Sequence, residues 1–278
     1  MGEDFVSVLE ADLQAEFDLR KSAYSEFRAI HAIADERRRA SAGRRFMKRA
    51  VEDLPLIDQI WTDGSRAIVR ALSPSHEAVT RSQKKLAAVT AMAGKPRKPF
   101  RGDPNECSVA LWIQTLDKSI LLGADLLKGP SGCGWAGILT DFKPTERASL
   151  FKVSHHGAPN ADEPEIWKQL LVEKDPVALL APYRGGSRAR PDKTDGTRIL
   201  ARTSRAYITA SPAAPAIQGI TKREKANLGH RAINARDPWG SIGQVRARSH
   251  RTESEWQVDL TSPARELKDA VYQRRRRK

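Results

Sequence analysis

The stretch from residue 105 to residue 160 constrains the fold of this chain more than any other part of its 278 residues. Residues 108–116 and 119–123 are two short apolar runs joined by a polar turn, which is the usual pattern of paired strands. A third apolar run covers residues 149–153 and leads directly into Ser-His-His-Gly. Asp125 comes just after the second run. Neighbouring strands that end in this way would bring one carboxylate and two imidazoles together around a metal ion.

The rest of the chain alternates between strand and helix patterns. We predict further strands at residues 67–72, 177–180, 206–209, 241–247 and 255–260. Helix patterns begin at Ser75 and cover residues 164–172 and 194–204. This β/α alternation predicts an α/β layer architecture.

Three segments are expected along the chain. Residues 1–65 are predicted to be a helical N-terminal segment, because apolar residues recur there at three- and four-residue spacing and the first proline is Pro55. Residues 66–262 are predicted to be the α/β domain. Residues 263–278 are predicted to be a basic tail, ending in Arg-Arg-Arg-Arg-Lys.

The chain is strongly basic, with 48 Lys and Arg residues against 34 Asp and Glu residues and a net charge of +14. Such a charge favours polyanionic partners, nucleic acid above all, because binding releases the counterions condensed on the phosphates. A generally basic proteome would give the same composition without any such partner, and this alternative stays open.

The composition, 40% apolar and 29% charged, is typical of a soluble protein. No apolar run approaches the ~18 residues of a membrane span. The acidic N-terminus lacks the basic start and apolar core of a secretory signal. We therefore predict a cytoplasmic protein without membrane association. Cys107 and Cys133 are too few for a disulfide framework and are predicted to be ordinary thiols.

Three short motifs resemble the metallo-β-lactamase superfamily, and the branch they are most similar to is the hydrolase-like domain of bacterial DNA-uptake (competence) proteins. The motifs are Asn-Glu-Cys-Ser from Asn105 to Ser108, Gly-Ala-Asp ending at Asp125, and Lys-Val-Ser-His-His-Gly-Ala at residues 152–158. The resemblance implies a partial αββα sandwich, the C-terminal half of that fold, within residues 66–262.

The resemblance also implies a site. Asp125 would be a metal-binding carboxylate, and His155 or His156 would be a ligand to the same centre, with Asp125 and His156 as the catalytic pair. The metal would be zinc first, with manganese or iron as alternatives, and a metal-bound hydroxide would attack a phosphoester of a nucleic acid or nucleotide. Four further residues are expected to hydrogen-bond the ligands or the substrate: Asn105, Ser108, Ser154 and Asn160.

The main metal motif of that superfamily, His-x-His-x-Asp-His, should lie upstream of Asn105. This chain has only His31 and His76 in that region, and neither belongs to such a motif. Two functions therefore stay open. In the first, the chain is a metal-dependent hydrolase, and its missing ligands come from a companion chain, from a homodimer or from sequence upstream of Met1. In the second, it is a catalytically inactive remnant that acts as a nucleic-acid- or protein-binding module.

Overall fold

A computed structural model describes residues 28–30, 32–37, 39, 50–90, 103–183, 189–210, 243–250 and 255–272. The described strands are β1 (Leu54–Ile60), β2 (Arg66–Ala71), β3 (Leu111–Gln114), β4 (Ser119–Leu122), β5 (Leu150–Lys152), β6 (Val177–Leu180), β7 (Ala206–Ile208), β8 (Gln244–Arg248), β9 (Gln257–Thr261) and β10 (Arg265–Glu266). The described helices are α1 (His76–Thr90), α2 (Gly134–Asp141), α3 (Pro164–Gln169), α4 (Lys193–Leu200) and α5 (Leu267–Tyr272), with short 3₁₀ turns at Pro104–Cys107 and Ser154–Gly157. The α/β class is confirmed.

Eight of these strands form one mixed sheet in the order β1-β2-β3-β4-β5-β6-β7-β10, and β8 and β9 pair separately. Strands β1 to β4 pair with one another in antiparallel fashion, whereas β4, β5, β6 and β7 run parallel. The carboxyl ends of the parallel strands therefore lie along one edge of the sheet, which we call the carboxyl edge. Because β3 is antiparallel to β4, the loop that enters β3 lies at the same edge.

Part of the core lies between this sheet and the helices α2 and α3. Leu121 is fully buried and stands in register between Trp112 and Phe151 on neighbouring strands. The Phe151 ring contacts Trp135 of α2 at 6.2 Å and Trp167 of α3 at 5.5 Å between ring centroids, edge to face in both cases. This packing fixes the strand ends that carry the candidate site.

The predicted helical segment at residues 1–65 is wrong at its C-terminal end, where residues 54–60 form β1. Pro55 is tolerated because β1 is an edge strand whose pairing with β2 is irregular between Pro55 and Ile57. Residues 28–30, 32–37 and 39 are helical, as predicted, and residues 1–27 lie outside the described residues.

The predicted basic tail begins too early. Arg265 and Glu266 form β10, which pairs with β7, and Leu267 at the start of α5 is fully buried. The described helix α5 therefore extends the fold to residue 272. No described helix has both the length and the apolar character needed to cross a membrane.

Candidate functional site

Asp125 lies at the carboxyl edge because the chain leaves β4 in close contact with β5. The backbone N–H of Gly123 donates to the carbonyl of Lys152 at 2.9 Å, which continues the strand pairing beyond β4. A Cβ at Gly123 would stand 2.2 Å from Ser154 Oγ, so only glycine allows this approach. Ala124 then turns the chain with a φ of +45°, and the Asp125 side chain that follows is 45% exposed.

The double-histidine turn follows β5 at the same edge. His155 and His156 have φ values of +44° and +57°, and Gly157 has +80°, so three consecutive residues adopt the left-handed conformation. The backbone N–H of His155 donates to the carbonyl of Ala124 at 2.9 Å and ties this turn to the Asp125 loop. Left-handed backbone at non-glycine residues costs about 1–3 kcal/mol each and clusters at functional sites.

His156 is the histidine that meets Asp125. Its Nδ1 lies 2.9 Å from the carbonyl oxygen of Ala181, and since a carbonyl only accepts, Nδ1 carries the proton. Its Nε2 lies 3.6 Å from Asp125 Oδ1. Two donors bound at 2.0–2.2 Å to one tetrahedral zinc ion lie about 3.4 Å apart. The pair therefore fits a shared cation, and the Ala181 carbonyl orients the ring as a metal-ligating histidine requires.

His155 is directed elsewhere. Its Nδ1 lies 3.4 Å from the side-chain nitrogen of Asn105, which reaches it from the 3₁₀ turn before β3. The rings of His155 and His156 meet edge to face, with centroids 6.0 Å apart. The described part of the chain contains no group of three or more His, Cys, Asp or Glu residues arranged to hold a metal ion. In the structure, Asp125 therefore lies close to His156, whereas His155 contacts Asn105.

The other predicted site residues have different surroundings. The carbonyl of Ser108 accepts a hydrogen bond from Ser73 Oγ at 2.7 Å. The Asn160 carbonyl accepts from the backbone N–H of Lys128 at 2.9 Å and so joins the loops that follow β4 and β5. Ser154 is 2% exposed, and its Oγ has no hydrogen-bond partner among the described residues.

Two side chains at this edge were not singled out from the sequence. Tyr183, just after β6, stacks on His156 with ring centroids 5.2 Å apart and 22° between the planes. Lys152, the last residue of β5, is half-buried, and its Nζ donates to the Val153 carbonyl at 3.1 Å. Burial lowers the pKa of Lys152 below its ordinary 10.5, and the charge of Asp125 acts in the opposite direction. Their positions in the sequence could have identified them as site residues, because both lie at or just after the end of a parallel strand.

A network of charged side chains centred on α4 supports the double-histidine turn. Arg198 Nη2 donates to the carbonyl of Gly157 at 2.6 Å. The same guanidinium forms ion pairs with Asp162 at 3.0 Å and with Asp195 at 3.2 Å. The Asp195 side chain is only 2% exposed and is also bonded by Arg190 at 2.6 Å. Helix α4 therefore supports the turn in addition to the hydrogen bond that ties His155 to the Asp125 loop.

Comparison of the chain with protein-family models, with curated proteins and with solved structures finds no match. The chemistry of the site consequently rests on its own geometry. That geometry consists of two metal-type donors facing each other, a lysine beside one of them and an aromatic ring stacked on the other.

Proposed function

We propose that this chain is a metal-dependent hydrolase of the metallo-β-lactamase type, built on a partial αββα sandwich. In this proposal Asp125 and His156 hold a divalent cation, zinc first, with manganese or iron as alternatives. One observation carries it: His156 Nε2 faces Asp125 Oδ1 at 3.6 Å while Nδ1 is committed to the Ala181 carbonyl. With Nδ1 bonded in this way, Nε2 is the ring nitrogen that faces the carboxylate and would share a cation with it.

The substrate is proposed to be a phosphoester of a nucleic acid or nucleotide. A bound cation would supply an activated water near neutral pH and would polarise a phosphoryl oxygen. In this proposal Lys152, whose charge interacts with that of Asp125, would add positive charge for a phosphate. The net charge of +14 favours such a polyanion over a neutral substrate.

Two donors are fewer than the three protein ligands that catalytic zinc sites use. We propose that the remaining ligands come from a companion chain or from a second copy. An association of this kind is supported by β1, which is an edge strand with exposed apolar residues: Ile57 is 53% and Ile60 is 62% exposed. Such strands are ready templates for pairing with another chain.

The test is the metal content of the chain, purified without chelators and measured by plasma mass spectrometry. We expect bound zinc, manganese or iron in the wild type, and its loss in the double variant Asp125→Ala, His156→Ala. His155→Ala is the matched control, because it removes the neighbouring imidazole, which contacts Asn105 instead, and should retain the metal. Unchanged metal content in the double variant would refute the site.

A second candidate is a non-catalytic module that binds nucleic acid or protein. It is favoured by the lack of any three-residue ligand group within the described ranges. A chain that purifies without metal, hydrolyses no phosphodiester with added zinc or manganese, and still binds an oligonucleotide would support this candidate over the hydrolase.

A further inference from the structure

Tyr183 presents an aromatic ring to solvent at the candidate site. One face of the ring stacks on His156, with 5.2 Å between ring centroids and 22° between the planes. The residue is nevertheless 47% exposed. Because the imidazole covers one face, a ligand that stacks on Tyr183 would use the opposite face.

The backbone around Tyr183 is held in place. Its N–H donates to the carbonyl of Arg190, and its carbonyl accepts from the N–H of Arg190, both at 2.8 Å. Arg190 is in turn anchored on the buried Asp195 at 2.6 Å. An exposed aromatic side chain on a doubly bonded backbone loses little conformational freedom when a ligand stacks on it.

We propose that Tyr183 is a stacking platform for a base of single-stranded nucleic acid. This inference rests on the proposed function and names its substrate class. A base on the face opposite His156 would continue the stack formed by Tyr183 and His156. Single strands fit because the bases of a duplex are already stacked on each other, and aromatic platforms of this kind accept any base.

The experiment compares two oligomers by fluorescence anisotropy, using the full chain in the presence of EDTA so that nothing is hydrolysed. One is an oligothymidylate of about ten nucleotides, within the site sizes usual for single-strand binding. The other is an abasic oligomer with the same number of phosphates. The wild type should bind the base-bearing oligomer about 5- to 100-fold more tightly.

Two variants of Tyr183 measure the contribution of its aromatic ring to the preference for the base-bearing oligomer. Tyr183→Ala should remove this preference and leave the affinity for the abasic oligomer unchanged, whereas Tyr183→Phe should keep the preference. Equal wild-type affinities for the two oligomers, or a preference that survives in Tyr183→Ala, would overturn the inference. Because EDTA removes any bound metal, the base preference measured here does not depend on the metal site, and its loss is distinguishable from a failure of the metal-content test.

Discussion

Lys152 is the residue at this edge whose position costs the fold free energy. It ends β5, three residues before His155, and its ammonium group is partly withdrawn from water. Burial is the first cause of its lowered pKa, and the opposing charge of Asp125 only partly compensates. A side chain kept at such a cost beside a carboxylate is typical of functional sites.

Lys152→Met should therefore raise the free energy of unfolding at pH 7, because it removes the cost of burying a charge. Folding lowers the pKa of Lys152. At pH values between its pKa in the native chain and about 10.5, Lys152 therefore binds fewer protons in the native chain than in the unfolded chain. Wild-type stability accordingly rises with pH across that window. The stability advantage of the Lys152→Met variant over the wild type should therefore shrink by about pH 10.

Urea unfolding at the two pH values measures this difference. Lys174→Met, at an exposed lysine, controls for the loss of one positive charge. A gain in the Lys152→Met variant that is the same at both pH values would show that packing, and not the buried charge, is responsible.

The strand-end pattern was sufficient to place Asp125 and His156 at one edge. The pattern could not show which of His155 and His156 faces Asp125, because the left-handed backbone at both positions decides where each ring points. Neither that conformation nor the Asn105 contact can be read from residue types. Tyr183 was missed for a related reason, since its stacking partner is more than twenty residues away in the chain.

At the scale of elements, helix α4 supports the double-histidine turn through Arg198 and contributes no metal donor. Arg198→Met should release the Gly157 carbonyl and leave the buried Asp195 with less compensation. We expect a loss of about 3 kcal/mol in stability, the cost of breaking a buried pair. We also expect metal affinity to fall about 10-fold or more, because the turn that orients His156 loses its support.

Arg202→Met is the matched variant for this prediction. Arg202 bonds Asp162 and lies over the Trp167 ring at 5.4 Å, and the bond to the Gly157 carbonyl comes from Arg198. Urea unfolding and metal titration should show lower stability for both variants and a marked affinity loss for Arg198→Met alone. Equal affinity losses would contradict a specific role for Arg198.

The sequence pattern located most strands of the large sheet, because short apolar runs bounded by turn residues are distinctive. Residues 177–180 form β6 as predicted, and residues 119–123 and 149–153 each contain their strand. Helix α2 was missed, since it begins Gly-Trp-Ala-Gly and two glycines in four residues argue against a helix. Its stability comes from tertiary packing, with Trp135 fully buried.

At the scale of the whole molecule, charge should dominate any binding to nucleic acid. Residues 273–278 carry four arginines and one lysine, and replacing these five by glutamine keeps the chain length. If all five contact phosphates of a single strand, the slope of log affinity against log salt should become shallower by about 3.5. Anisotropy between about 50 and 200 mM salt measures the slope, and an unchanged value would exclude the tail from binding.

The change from antiparallel to parallel pairing at β4 also bears on how the site comes into being during folding. The β1–β2 and β3–β4 hairpins join strands that are close in sequence, and such contacts form early. Asp125 and His156 follow β4 and β5, whose parallel pairing requires a long crossover to close first. The metal donors should therefore meet late, so that a cation would select the completed sheet instead of guiding its assembly.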